Sequence, residues 1–409
     1  MTQYDPTAEA LTVLRDEKGF TYAQIGDTLG ISEDAARGRY RRARRYRLAD
    51  LGRPVPSVSF GPPAADGDAG APAEGSDRPG DQELRAANRS LLQQLAKAKA
   101  KAEELVSAVY SAASDAASAL DLPPVPPPTS DTRRGGEEVA VAVLSDWQLG
   151  KRTPSYDSTV CAERIARFGE KVIRLTDIQR KDHPVKHLRV HILGDIVEGE
   201  MIFPGQAHLI DASLYEQVVE SGPSILAAFL RKMLANFDSV HVVAVIGNHG
   251  RIGRKGDFNP QTNADRMLYR ITQRYLEGEK RLTWDIPSIP NERAWYAVSK
   301  IGKYSCLLIH GDQFRGTAGI PWYGLNKKVG GWALGAIREH YDDVDFGHFH
   351  TPMTTQINNV TVRCNGSSES HNDFAAEQLA ATGQPSQGLR YVHPERGIVT
   401  ATYTVWLEK

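Results

Sequence analysis

Five short polar motifs interrupt the second part of the chain. In order they are Leu144-Ser145-Asp146-Trp147-Gln148, Leu193-Gly194-Asp195-Ile196-Val197-Glu198-Gly199, Ile246-Gly247-Asn248-His249-Gly250, Ile309-His310-Gly311-Asp312 and Phe346-Gly347-His348-Phe349-His350. A Gly-Asp pair after an apolar run is often only a turn, and a single strand-end histidine is more often part of an ordinary core or surface. The five together are more specific. They deliver carboxylates, an amide and imidazoles to the ends of strands, which is where an open α/β sheet holds its sites. Oxygen and nitrogen ligands without a thiolate suit Mn, Fe or Zn in a reactive centre better than a structural zinc.

The elements that must position these motifs are legible as runs of β-formers. Strands are predicted at Val139–Leu144, Leu188–Leu193, Val240–Ile246, Tyr304–Ile309, Val360–Cys364 and Ile398–Trp406, with helical stretches between them. This alternation predicts an α/β domain over residues 137–409, with Ile398–Trp406 completing a second sheet. The Gly311–Gly331 segment, with its six glycines, reads as a long mobile loop over the site. His371 reads as a surface histidine.

The motifs resemble the calcineurin-like metallophosphoesterase superfamily, whose pattern is D-x-H, G-D-x-x-[DH], G-N-H-[DE], H and G-H-x-H in this order. The resemblance spans residues 138 to about 366. It implies a four-layer α/β/β/α sandwich and two divalent metal ions, Mn foremost with Fe or Zn as alternatives. By the same resemblance Asp195 bridges the two ions. Asp146 and His350 complete the first site, with Gln148 as a candidate fourth ligand, and Asn248, His310 and His348 hold the second. His249 faces the substrate, and Glu198 accepts a hydrogen bond from it. Two such cations sharing a carboxylate activate water and stabilise phosphoryl oxygens during in-line attack. Two positions depart from the pattern. Gln148 replaces a histidine with a weaker neutral ligand, and Gly250 replaces a carboxylate and is expected to leave room for substrate.

Upstream, composition changes sharply. Residues 1–53 read as a small all-α module. Thr21 and Gln24 form a capping-box pattern, Ile25 and Leu29 an apolar face, and Gly30 a turn. This stretch resembles the helix-turn-helix of sigma-factor region 4. Its second helix carries Arg37, Arg41, Arg42, Arg44 and Arg45, charges suited to phosphate contacts. Glu33, Asp34 and Gly38 weaken the DNA-binding reading. Residues 54–82, rich in Pro, Gly and Ala, read as a flexible linker. Residues 83–120 read as a long helix. Leu84, Leu91, Ala98, Leu105 and Ala112 share one heptad position, and Asn88, Leu95, Ala102, Val109 and Ala116 the other. Either this seam pairs two copies as a coiled-coil homodimer, or the helix packs on the following domain. The proline run in 121–136 reads as a stiff linker.

The 409 residues are 41% hydrophobic and 24% charged, an ordinary globular balance that excludes a wholly disordered or fibrous chain. With 49 basic and 50 acidic residues the net charge is −1, so any nucleic-acid affinity is local. Three separated cysteines argue against a disulfide framework. With no secretory signal and no long apolar run, a cytoplasmic location without a membrane span is expected. Arg251, Arg254 and Lys255 follow the third motif and are candidate substrate contacts, while Phe258, Phe314, Trp322, Tyr323 and Trp332 supply aromatic surface. The leading expectation is a DNA-directed phosphodiesterase, a nuclease brought to DNA by its N-terminal module, in the manner of a phage or mobile-element gene. The alternative is a phosphatase or small-nucleotide phosphodiesterase with a localising N-terminal part. A third class is a non-catalytic DNA-binding or assembly protein.

Overall fold

The computed structural model describes residues 21, 22, 24, 25, 81–120, 122–129, 136–253, 258, 259, 261–287, 295–314, 320–369 and 383–408. The chain divides into two units, Met1–Pro79 and Gly80–Lys409. In the first, Thr21 N–H donates to Gln24 Oε1 at 2.9 Å and Gln24 N–H to Thr21 Oγ1 at 3.3 Å, a reciprocal cap at a helix start. The rest of the helix-turn-helix reading, including Arg37, Arg41, Arg42, Arg44 and Arg45, lies outside the described residues.

The second unit begins with α1 (Asp81–Ser118). Sheet one contains β1 (Glu138–Leu144), β2 (Val185–Ile192), β3 (Ser239–Ala244), β4 (Leu282–Asp285), β10 (Ser386–His393) and β11 (Ile398–Trp406). Sheet two contains β5 (Tyr296–Ile301), β6 (Tyr304–Ile309), β7 (Asp343–Phe346), β8 (Met353–Ile357) and β9 (Val360–Cys364). The orders are β11-β10-β1-β2-β3-β4 and β5-β6-β7-β9-β8. Strands β1 to β4 are mutually parallel, as are β6, β7 and β9, and antiparallel strands close the remaining edges. The helices are α2 (Ser158–Gln179), α3 (Gly222–Leu234), α4 (Ala264–Tyr275) and α5 (Trp322–Gly331).

Alternation along β1 explains the layering. Val139, Val141 and Val143 face sheet two and pack with Tyr304, Cys306 and Leu308, while Ala140, Ala142 and Leu144 face the helices with Ile165, Phe168 and Leu230. A third core joins sheet two to α5 through Leu307, Ile309, Leu325, Val329 and Val344. Two mixed sheets flanked by helices are consistent with the four-layer sandwich.

Several expectations are corrected here. Ile398–Trp406 does not complete sheet two. It pairs with β10 at the edge of sheet one. The Gly311–Gly331 loop contains α5, because Leu325 and Val329 are buried and packing outweighs glycine's weak helix propensity. Phe314 and Trp332 are core residues, whereas Trp322 and Tyr323 are exposed. The segment 122–129 is strapped to the domain. Val125 N–H donates to Glu279 Oε1 at 2.7 Å, and Arg281 donates to Val125 O at 3.0 Å. Helix α1 packs Val106, Tyr110, Ala113 and Ala117 against the main core, leaving the seam residues Leu91 and Leu105 61% and 66% exposed. No described helix is long and apolar enough to cross a membrane. His371 lies outside the described residues.

Candidate metal centre

The five motifs leave the C-terminal ends of β1, β2, β3, β6 and β7. Their backbone is unusual. Six non-glycine residues among those described have positive φ, and five are Asp146 (51°), Gln148 (51°), Asp195 (51°), His348 (71°) and His350 (56°). Left-handed backbone costs an ordinary residue roughly 1–2 kcal/mol. Such strain gathers where side chains must be aimed rather than merely packed. Two motif glycines answer to close approach: a Cβ on Gly247 would stand 2.0 Å from Asp195 Oδ1, and one on Gly347 would stand 2.2 Å from Asp146 Oδ2.

The aimed side chains converge. His310 Nε2 lies 3.0 Å from Asp195 Oδ2, 3.0 Å from Asn248 Oδ1 and 3.2 Å from His348 Nδ1. His310 Nδ1 is fixed by Leu193 O at 2.9 Å, which settles the ring's orientation. Beside this group His350 Nε2 is 3.3 Å from Asp146 Oδ1, and both oxygens of Asp146 accept the His348 backbone N–H at 3.0 and 3.1 Å. Gln148 is buried and its amide nitrogen is 3.5 Å from Asp195 Oδ2, so its oxygen reaches a shared cation only after an amide flip.

The ionisable groups of the site are strongly coupled. Burial opposes charge on His310, but Asp195 outweighs it and pushes the imidazole up to about 10. Burial together with charged His310 pushes His348 down to about 4. Burial would raise Asp195, yet His310 and His249 hold it below the usual carboxylate range. The side chains of Asp195, Asn248 and His348 thus meet around His310 Nε2, where binding of a divalent cation would compete with protonation of the imidazole. Oxygen and imidazole donors within 4.8 Å of one another fit such an ion.

His249 stands apart from the ligand cluster. Its backbone N–H donates to Asp195 Oδ1 at 2.7 Å. Its Nδ1 is 2.8 Å from the Glu198 carbonyl oxygen and 3.4 Å from the Glu198 carboxylate. The nearer partner is therefore the main-chain oxygen, and Glu198 Oε1 is taken by Gln206 at 3.0 Å. Burial opposes the charge of His249, but Asp195 and Glu198 raise it to about 9. Arg251 lies at the site's edge, its Nε donating to Gly253 O at 3.3 Å. Arg254 and Lys255 lie outside the described residues. Gly250 does not open space for substrate, since a Cβ there would stand 2.6 Å from Asn263 Oδ1.

Two carboxylates that touch the motifs escaped the sequence reading. Asp265, in the first turn of α4, accepts backbone N–H groups of Asp195 (3.0 Å), Ile196 (3.0 Å), Val197 (3.2 Å) and Gly247 (2.8 Å). It ties the second and third motifs together and shapes the turn that carries Asp195. Its only sequence signal is Asn263-Ala264-Asp265, an ordinary helix start. The other is Glu369, which meets Lys151 at 2.6 Å and His350 at 3.4 Å and has no motif of its own.

A second group of possible ligands, His191, Cys306 and Asp345, is buried between the sheets. A guanidinium already fills it: Arg390 NH2 is 2.6 Å from Asp345 Oδ2, 3.4 Å from His191 Nδ1 and 3.5 Å from Cys306 Sγ. Burial would raise Asp345, but Arg390 and His191 hold it ionised.

No family model and no curated protein matches this chain. Among solved structures it is similar to the hypothetical protein PH1004 from Pyrococcus horikoshii OT3, at 15% identity and a TM-score of 0.34, covering 66% of this chain and 89% of that one. It is similar to a novel archaeal phosphodiesterase at 12% identity and a TM-score of 0.29, covering 65% and 99%. It is also similar to Zn-complexed Vps29 from Entamoeba histolytica at 16% identity and a TM-score of 0.28, covering 66% and 99%. At these values the reading of the site rests on its own geometry.

Proposed function

We propose that the protein is a binuclear-metal phosphoesterase that acts on small phosphoesters, as a phosphatase or a small-nucleotide phosphodiesterase. The observation that carries this reading is the meeting of Asp195, Asn248, His310 and His348, from four different loops, around one imidazole nitrogen. The two-sheet fold and the ligand cluster support a metal-dependent phosphoesterase. The nuclease reading draws on the arginine-rich segment and on Arg254 and Lys255, which lie outside the described residues.

In this reading Asp195 would be shared by the two ions. Asp146 and His350 serve one side, with Gln148 turned toward it, and Asn248, His310 and His348 serve the other. When bound, the ions supply a water nucleophile and charge for the phosphoryl oxygens. Mn fits this oxygen-rich set, and Fe or Zn would be accepted by the same imidazoles. His249 keeps Nδ1 on Glu198, leaving Nε2 to hold a phosphoryl oxygen or give a proton to the leaving oxygen. Arg251, two residues after His249, would supply positive charge for the substrate.

His249→Ala is expected to keep its metal while turnover falls about 10²–10⁴-fold, the usual worth of a positioned acid. Metal analysis beside rates would check this, and loss of metal would show that His249 is itself a ligand. The functional test is hydrolysis with Mn²⁺ of p-nitrophenyl phosphate, bis-p-nitrophenyl phosphate and linear duplex DNA side by side. Turnover of a small ester is expected. Cleavage of DNA in preference to both esters would favour the nuclease reading, and no hydrolysis of any would overturn the enzyme assignment.

A further inference from the structure

The Asp146 side of the centre is the weaker one, because Gln148 contributes only a neutral amide there. Behind it the structure places a carboxylate. Glu369 follows β9 on a segment sewn to the first motif. Ser367 Oγ donates to Asp146 O at 2.7 Å, Ser368 N–H donates to the same oxygen at 3.3 Å, and Glu369 N–H donates to Ser367 Oγ at 2.9 Å. Arg164 holds the segment from the other side, donating to Ser368 O at 2.7 Å. The backbone carrying Asp146 and the backbone carrying Glu369 are thus fixed to each other.

The Glu369 side chain is 1% exposed, and neither of its oxygens has an aligned hydrogen-bond donor among the described residues. Its contacts are ionic. Oε1 is 2.6 Å from Lys151 Nζ, and Oε2 is 3.4 Å from His350 Nδ1. The opposite ring nitrogen of His350 is 3.3 Å from Asp146 Oδ1. Lys151, Glu369, His350 and Asp146 therefore form a line that ends at the proposed ion. A buried carboxylate with so few donors carries a large desolvation cost, which argues that its place is set by something other than packing.

We propose that Glu369, tethered by Lys151, is a positioning residue for the metal centre. It holds His350 with Nδ1 3.4 Å from the Glu369 carboxylate and Nε2 3.3 Å from Asp146 Oδ1, where the ion would be held. An outer carboxylate of this kind sets the tautomer and raises the basicity of a ligating histidine. Here it offsets the weak donor at Gln148. Lys151, which follows the first motif, acts as the tether of Glu369. This assignment rests on the reading of the site as a binuclear centre.

The test is a Mn²⁺ titration of the full chain followed by calorimetry and by electron paramagnetic resonance, which separates single ions from coupled pairs. The wild type is expected to take two ions. Glu369→Gln is expected to weaken one of the two by about 10–100-fold and spare the other, so that the coupled signal appears only at higher Mn²⁺. Lys151→Met should shift the same ion in the same direction. If Glu369→Gln does not fold, Glu369→Asp keeps the charge, shortens the reach and should show the same selective loss. Two unchanged affinities, or equal weakening of both ions, would overturn the positioning role while leaving the metal centre intact. A wild type that binds no Mn²⁺ would overturn both.

Discussion

Asp195→Ala is expected to abolish cation binding and phosphoester hydrolysis together, with the rate falling at least about 10³-fold, because several kcal/mol of charge stabilisation go with the ions. Asp195 Oδ2 faces His310 at 3.0 Å while Oδ1 accepts the His249 N–H at 2.7 Å, so one carboxylate joins the His310 cluster to the loop that carries His249. The turn that aims it is held by Asp265 and carries a φ of 51°. Metal analysis and initial rates on a small ester would be measured on the same preparation. A variant that retains wild-type Mn²⁺ content would show that Asp195 does not bridge.

Arg390→Met is expected to destabilise the domain by about 3–5 kcal/mol without touching the metal centre. Arg390 on β10 reaches across to Asp345 on β7 at 2.6 Å, and His191 on β2 adds a contact to the same oxygen at 2.9 Å. All three side chains are buried between the sheets. Removing the guanidinium strands an ionised carboxylate in the core. Among the described residues His191 Nε2 and Asp345 Oδ1 already lack hydrogen-bond partners, which leaves the His191 Nδ1 contact to offset the burial of the carboxylate. Replacing both charges, as Arg390→Met with Asp345→Leu, should recover most of the loss, since a buried pair is worth little more than apolar packing. Urea denaturation of the single and double variants would measure this. A single variant within 1 kcal/mol of wild type, a margin typical of exposed pairs, would mean that the pair is not desolvated.

The side chains that converge at the strand ends were legible because each sits in a short contiguous motif after an apolar run. Asp146, Asp195, Asn248, His310, His348 and His350 needed only local spacing to be singled out, and folding brings them together from distant loops. Asp265 and Glu369 were invisible for the opposite reason. Each acts on a motif far away in sequence while sitting in a stretch whose own pattern is commonplace: a helix start for Asp265, and a polar Ser367-Ser368-Glu369 run after a strand for Glu369. The alternation of Ile398–Trp406 correctly marks a strand with one face covered, but alternation cannot say which sheet the strand joins. That depends on the hairpin with β10. The glycines of 311–331 suggested a loop because propensity is local, whereas the burial of Leu325 and Val329 that makes α5 comes from contact with sheet two. Gly250 read as open space only because the Asn263 side chain that abuts it arrives from a later element.

The most direct test of the binuclear centre is the anomalous scattering of a crystal grown with Mn²⁺. The expected result is two peaks about 3.5–4 Å apart on either side of the Asp195 carboxylate, one beside Asp146 and His350 and the other beside Asn248, His310 and His348. No peak at Asp195, or a peak only among His191, Cys306 and Asp345, would contradict it.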